Sequence, residues 1–198
     1  MKHSRVHRPI HLVTTMLVMA GLFAAAGQAD VGADLPEGKR TTLGLYATAV
    51  QAYEAWAANP DDVTILDVRT PEEFMFVGHP DMAWNVPIFM QTLDWDEQRG
   101  RFSMTPVPEF VDNVKKIASL DDTIYLICRS GGRSAMAVDK LAEAGFTNVF
   151  TVTDGVEGDK VKDETHPDFG HRTINGWKNS ELPWTYAIDR QRMVLPAE

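Results

Sequence analysis

Short apolar runs alternate with amphipathic segments through the middle of the chain. Residues 63–68 and 123–127 are β-branched and apolar with no polar alternation, which is typical of parallel strands buried on both faces. Residues 83–87 and 148–152 are predicted as two further strands. Because predicted helices separate these strands, the pattern predicts an α/β fold with a parallel central sheet and right-handed crossovers.

The predicted helices are recognised by their capping sequences and their apolar spacing. Capping boxes that begin at Thr48 and Thr70 predict helices directly after these residues. Apolar residues at helical spacing predict two more helices, over residues 106–118 and 134–144.

The two ends of the chain are predicted to lie outside this domain. Basic residues, a short apolar segment that is densest over residues 16–26, and small residues before Asp30 form the pattern of a secretory signal peptide over residues 1–29. The apolar segment is shorter than the roughly 20 residues that span a bilayer. After the signal we expect a flexible leader, the α/β domain and a C-terminal tail, over residues 30–42, 43–186 and 187–198 respectively.

Composition and charge narrow the range of functions. With 28 acidic and 19 basic residues the net charge is −9, which excludes attraction to phosphate backbones or anionic lipid, so nucleic-acid binding is not expected. The single cysteine, Cys128, excludes an intramolecular disulfide and multi-cysteine metal sites. We expect an exported protein, in the periplasm of a Gram-negative bacterium, with no membrane association after signal cleavage and no cofactor or metal.

Cys128 is the candidate for chemistry. It directly follows the predicted strand over residues 123–127 and precedes a glycine-rich turn and a helix. Gly131 and Gly132 allow successive backbone N–H groups to point into one concavity, and the helix adds its positive N-terminal end. Together with Arg129 and Arg133, this environment favours the thiolate form of Cys128 and an anionic substrate.

Two motifs resemble those of single-domain rhodaneses. One is the loop CRSGGRS over residues 128–134, and the other is LDVRTPEEF over residues 66–74, followed by Gly78-His79 and by NVP over residues 85–87. The resemblance implies a rhodanese-like three-layer fold, with a five-stranded parallel sheet flanked by helices.

The resemblance also implies an activity and roles for individual residues. It implies a thiosulfate sulfurtransferase, in which Cys128 takes sulfane sulfur from thiosulfate or a related small anion, holds it as a persulfide and passes it to a thiol, cyanide or a protein acceptor. Asp67 and Arg69 are expected to support the loop framework by ion pairing. The persulfide or anion would be bound by the loop residues Arg129, Ser130, Gly131, Gly132, Arg133 and Ser134.

Other functions remain open on the residues alone. A non-enzymatic persulfide carrier or binding module in an exported sulfur pathway also needs Cys128. Cysteine phosphatases and arsenate reductases of similar fold are less favoured, because their loop is one residue longer and five residues separate its cysteine from its arginine. Here four residues separate Cys128 from Arg133, a smaller ring that suits sulfur better than a tetrahedral oxyanion.

Two segments depart from the family pattern as insertions, over residues 88–105 and 154–173. The first is predicted to form one wall of the Cys128 pocket and to select the substrate. The second contains His166, Asp168 and His171, for which a solvated polar insertion is favoured over a metal site.

Overall fold

The computed structural model describes residue 32 and residues 34–195 of the chain. The helices, apart from short 3-10 turns, are α1 (Ala49–Ala58), α2 (Pro71–Val77), α3 (Phe110–Val114) and α4 (Gly132–Glu143). The strands are β1 (Tyr46–Ala47), β2 (Val63–Asp67), β3 (His79–Pro80), β4 (Trp84–Asn85), β5 (Phe89–Asp96), β6 (Arg101–Pro106), β7 (Thr123–Ile127), β8 (Val149–Val152), β9 (Asp159–Lys160), β10 (Arg172–Ile174) and β11 (Trp184–Thr185).

A five-stranded parallel sheet lies at the centre of the fold. Its strand order is β1-β8-β7-β2-β4, and every neighbouring pair is parallel. Strand β7 is central and is buried from Ile124 to Ile127, as its unbroken apolar sequence predicts. The predicted α/β class with a five-stranded parallel sheet is therefore confirmed.

Helices cover both faces of this sheet and make it the middle of three layers. Alternate residues of β2 enter opposite clusters, with Leu66 in one core and Ile65 in the other. The first core includes residues of α3 and α4, and the second includes residues of α1 and α2. All parallel strands thus end at one edge of the sheet, where the loop that contains Cys128 begins.

The capping predictions are confirmed, whereas the helix predicted over residues 106–118 is too long. Thr48 and Thr70 each cap a helix, and both capping boxes are complete. Helix α3 is limited to Phe110–Val114. At its start, Pro106 still belongs to β6, where it pairs with Phe89, and a turn closed by the Phe110 amide on the Val107 carbonyl leads into the helix. At its end, residues 115–117 form turns.

The segment predicted as a flexible leader, residues 30–42, makes long-range contacts in its second half. Residues Glu37–Lys39 form one turn of 3-10 helix. The Lys39 ammonium donates to the Thr153 carbonyl at 2.8 Å and pairs with Asp159 at 3.1 Å. The leader is therefore tied to the loop after β8 by long-range contacts that local sequence patterns do not reveal.

The predicted C-terminal tail, residues 187–198, also packs on the domain as far as it is described. Met193 is buried in the second core, and the Val194 amide donates to the Asn85 carbonyl at 2.9 Å. The tail thus covers the edge of the sheet at β4. The signal peptide predicted over residues 1–29 lies outside the described residues.

The two predicted insertions form small antiparallel units. Residues 88–105 build most of the β5–β6 hairpin, and residues 154–173 contain β9 and part of β10, which pair with each other.

Among the described residues, no helix has the length and apolar character needed to cross a bilayer.

His79 lies in β3, which pairs with β11, and the residue is 3% exposed. Its ring stacks on Phe74 with the ring centroids 3.6 Å apart. Nδ1 donates to the Phe74 carbonyl at 3.0 Å. Burial lowers the pKa of His79, and the opposing effects of the Phe74 hydrogen bond and of the Asp67 charge are smaller.

The neutral, buried state of His79 predicts a pH-dependent stability. Its pKa in the folded protein is below the ordinary value of 6.5, so the unfolded chain binds a proton that the folded chain does not as the pH falls through 6.5. Denaturant unfolding should therefore show wild type losing stability between pH 7.5 and pH 6.0. His79→Asn, which keeps a donor near the Nδ1 position, should be less stable by about 1–2 kcal/mol at pH 7.5 and lose less on acidification. If wild type and His79→Asn lose the same free energy of unfolding between pH 7.5 and pH 6.0, His79 is not the group responsible for the pH dependence.

Candidate active site

Cys128 stands at the carboxyl end of the central strand β7, where sites form in open parallel sheets. The residue is 2% exposed. Its Sγ accepts a hydrogen bond from the Gly131 amide at 3.2 Å, and its thiol is placed to donate to Ser134 Oγ at 3.6 Å. The sulfur is therefore held inside the turn that its own loop makes.

Two glycines allow this loop to pack directly against the loop that follows β8. Gly131, the N-cap of α4, has φ +95°, and a Cβ atom there would collide with the Thr153 carbonyl. Gly155 has φ +65°, and a Cβ atom there would collide with the Cys128 carbonyl. The Val156 amide donates to that same Cys128 carbonyl at 2.9 Å. The position of the sulfur is thus set by two backbones in contact.

Ser134 links the loop to the neighbouring strand. It is buried in the first turn of α4, and its Oγ donates to the Gly131 carbonyl at 3.0 Å. The same oxygen shares a 2.8 Å hydrogen bond with Thr151 Oγ1 in β8. Ser134 therefore orders the turn and also lies beside the cysteine sulfur.

Arg133 is held by a carboxylate that the sequence analysis did not assign to the site. Its guanidinium contacts both oxygens of Glu73 in α2, with Nη1–Oε2 at 2.5 Å and Nη2–Oε1 at 2.6 Å. Burial raises the pKa of Glu73, but the hydrogen bond and charge of Arg133 outweigh it, so the pKa lies below its usual value. The sequence pattern identified Glu73 as the third helical residue of the capping box that begins at Thr70. Glu73 also has that role, because the Thr70 amide donates to its carboxylate.

The remaining loop residues line the mouth of the site. Arg129 is exposed, whereas Ser130 and Gly132 are half-buried. All three border a cavity of about 730 Å³ that also reaches Cys128. The opposite wall of the cavity is the β5–β6 hairpin, in the position predicted for the insertion over residues 88–105.

Asp67 and Arg69 form a fully buried ion pair beneath the site. Arg69 Nη2 lies 2.6 Å from Asp67 Oδ2, and the same nitrogen donates to the Gly78 carbonyl at 2.8 Å. Burial alone would lower the pKa of Arg69, but Asp67 opposes this, so the pKa is raised and the side chain stays charged. Neither side chain lines the cavity at Cys128, so the pair acts as framework.

The described residues offer no candidate metal centre. Within residue 32 and residues 34–195, no group of three or more His, Cys, Asp or Glu side chains is arranged to hold a metal ion. His166 Nδ1 lies 4.0 Å from Asp168 on an exposed loop.

Comparisons with known proteins agree with this architecture. The family model for rhodanese-like domains matches residues 49–161. An uncharacterized protein of Rickettsia conorii is 30% identical over 141 residues, covering 70% of this chain and 94% of that protein. Thiosulfate sulfurtransferase 16, a chloroplastic protein of Arabidopsis thaliana, is 41% identical over 90 residues, covering 46% of this chain and 68% of that protein.

A solved structure extends the likeness to the fold. The crystal structure of Rv0390 from M. tuberculosis superposes with a TM-score of 0.55 at 30% identity, covering 72% of this chain and 99% of that one. The family model spans more than half of the chain and includes the cysteine loop, the capping box that begins at Thr70 and four of the five sheet strands. The chain belongs to the rhodanese-like family.

Proposed function

We propose that this protein is a sulfurtransferase in which Cys128 carries sulfane sulfur as a persulfide. The observation that supports this most directly is the placement of the single cysteine at the base of a cavity, with the Gly131 amide 3.2 Å from its sulfur. Helix α4 begins at Gly132 and directs the positive end of its dipole to the same point. Such a setting stabilises negative charge on sulfur, both in the thiolate and in the persulfide.

The proposed reaction is a double displacement on one sulfur atom. The Cys128 thiolate attacks the outer sulfur of thiosulfate, a new S–S bond forms, and sulfite leaves with the electron pair of the bond that breaks. Cyanide or a thiolate then attacks the outer sulfur of the persulfide, and Cys128 leaves as the thiolate. Both displacements are written from the thiolate, so neither transfers a proton and neither calls for a general base.

The positive charges of the site suit an anionic donor. Arg129 extends at the mouth, and Arg133 lies in the cavity wall, where its charge is shared with Glu73. Since a salt bridge engages Arg133, we assign the larger share of donor attraction to Arg129.

Export belongs to the same proposal. We propose that residues 1–29 are removed as a signal peptide and that the mature protein acts in the periplasm of a Gram-negative bacterium. The basic, apolar and small-residue order of this segment supports it.

Expression of the full chain in a Gram-negative host tests export directly. The protein should be recovered from the periplasmic extract with Asp30 as its first residue, as read by N-terminal sequencing. A chain that lacks residues 2–29 should stay in the cytoplasm. Recovery of the uncleaved full chain from the membrane fraction would contradict the proposal.

Sulfur loading should depend on Cys128 alone. Incubation of the purified protein with thiosulfate should add the mass of one sulfur atom, as measured by mass spectrometry of the intact chain, and cyanide should remove it. Cys128→Ser should show neither step, because a hydroxyl at this position is not ionised at neutral pH. A protein that takes up sulfur without turning over any acceptor would be a persulfide carrier, and turnover by Cys128→Ser would contradict the proposal.

Glu73 should control how much charge Arg133 offers to a donor. Glu73→Gln keeps a residue that completes a capping box but removes the carboxylate, so kcat/KM for thiosulfate should rise several-fold while the free energy of unfolding falls by about 1–2 kcal/mol. Arg129→Gln should lower kcat/KM about tenfold, which corresponds to about 1.4 kcal/mol.

The matched control is the exposed neighbour Glu72. Glu72→Gln removes the same charge from the same helix, and Glu72 makes no contact with Arg133, so both quantities should stay close to wild type. If Glu73→Gln and Glu72→Gln have the same effect on thiosulfate, net charge and not release of Arg133 is responsible.

A further inference from the structure

The carbonyl of Thr153 lies at the contact between the cysteine loop and the loop that follows β8. Gly131 packs against this oxygen so closely that a Cβ atom would collide with it. The amide of the same glycine donates to Cys128 Sγ at 3.2 Å. Thr153 is buried, and its own amide donates to the Ala47 carbonyl at 2.9 Å. A shift of the Thr153 carbonyl would therefore also shift the amide that contacts the sulfur.

Lys39 of the leader binds this carbonyl directly. Its ammonium donates to the Thr153 oxygen at 2.8 Å, and its side chain is 18% exposed. The Lys39 Cδ also lies beside Gly131, where an added Cβ atom would meet it. One side chain thus contacts both residues of the loop contact. Its bond to the carbonyl is charge-assisted, which makes it stronger than a hydrogen bond between neutral groups.

Asp159, the first residue of β9, holds the same ammonium from the insertion over residues 154–173. Its Oδ1 lies 3.1 Å from Lys39 Nζ. The Asn175 side chain donates to Asp159 Oδ2 at 3.2 Å and accepts from the Asp159 backbone amide at 3.0 Å. Burial raises the pKa of Asp159, but the hydrogen bonds from Asn175 and Lys39 outweigh it, so the pKa lies below its usual value and the carboxylate stays charged. The ammonium is therefore held by two fixed acceptors.

We propose that Lys39 is a positioning residue for Cys128, because it fixes the Thr153 carbonyl against Gly131 and thereby the Gly131 amide at the sulfur. The inference rests on the proposed sulfurtransferase function and adds a residue outside the cysteine loop to that site. Lys39 does not line the cavity beside Cys128, so it acts through the two loops and not by contact with a donor. Without the ammonium, the loop contact loosens and the amide stabilises the anionic sulfur less.

Lys39→Met tests this inference, because it keeps an unbranched side chain beside Gly131 and removes the ammonium. Its matched control is Arg40→Met, which removes one positive charge from the neighbouring, exposed position. A second control, Asp139→Ala, releases another attachment of the leader, since the Asp139 carboxylate accepts from the Thr42 amide at 2.7 Å.

Two rates would be measured at pH 7.5 in each variant: alkylation of Cys128 by iodoacetamide, and kcat/KM for thiosulfate with cyanide as acceptor. Lys39→Met should lower both about tenfold, because a displaced amide weakens the sulfur nucleophile toward any reagent. Lys39→Arg should recover both to within about threefold of wild type, since a guanidinium also donates to a carbonyl and a carboxylate at once. Arg40→Met and Asp139→Ala should stay within about twofold of wild type for both rates.

The neutral reagent separates positioning from attraction of anions. If Lys39→Met slows thiosulfate and not iodoacetamide, Lys39 acts as a distant positive charge and the inference is overturned. An equal loss of both rates in Asp139→Ala would also overturn it, because any loosening of the leader would then be sufficient.

Asp159→Asn provides a milder test that stands even if Lys39→Met does not fold. It removes the charge that holds the ammonium and leaves the Thr153 carbonyl as an acceptor, so both rates should fall about threefold. Unchanged rates in Asp159→Asn would count against the inference. Because alkylation needs no sulfur transfer, a wild type that reacts with iodoacetamide in this pattern but takes no sulfur from thiosulfate would refute the proposed function and leave the positioning role intact.

Discussion

The contact between two backbones at the carboxyl edge of the sheet is the constraint on which the site depends. The loop that begins with Cys128 and the loop that follows β8 pack without intervening side chains, which only glycine at positions 131 and 155 permits. Hydrogen bonds from the Val156 and Glu157 amides to the Cys128 and Arg129 carbonyls join the two loops at 2.9 and 3.0 Å. The sulfur is thereby placed mainly by backbone contacts, with the buried Ser134 hydroxyl as the side chain that orders the turn, and the Gly131 amide is directed at the sulfur.

Two ion pairs near Cys128 have different structural roles. The buried Asp67–Arg69 pair satisfies the Gly78 carbonyl and does not line the cavity. The Glu73–Arg133 pair instead joins the start of α2 to the first turn of α4 across the cavity wall. An acidic chain can therefore have a cavity lined by more arginines than carboxylates, because Asp96 and Glu73 pair with two of the arginines, and Arg129 and Arg101 are in no ion pair of the described residues.

Segments outside the common sheet build the surroundings of the site. The leader reaches the loop after β8 through Lys39, and the tail closes the β4 edge through Met193. The β5–β6 hairpin adds an entire wall to the cavity. The sheet and the cysteine loop thus position Cys128, while the hairpin determines the size and the lining of the cavity beside it.

Local patterns in the sequence determined much of this protein by themselves. Unbroken β-branched runs identify β2 and β7, because buried parallel strands need apolar residues on both faces, and capping boxes mark the first residues of α1 and α2. The position of Cys128 between a strand and a glycine-rich helix start identified the candidate nucleophile. What only the tertiary structure decided are the contacts between distant segments: the engagement of Arg133 by Glu73, the anchoring of Lys39, and the pairing of Pro106 with Phe89 in the hairpin. These contacts join residues far apart in the chain, and their energies depend on distances in the folded state, which no local periodicity encodes.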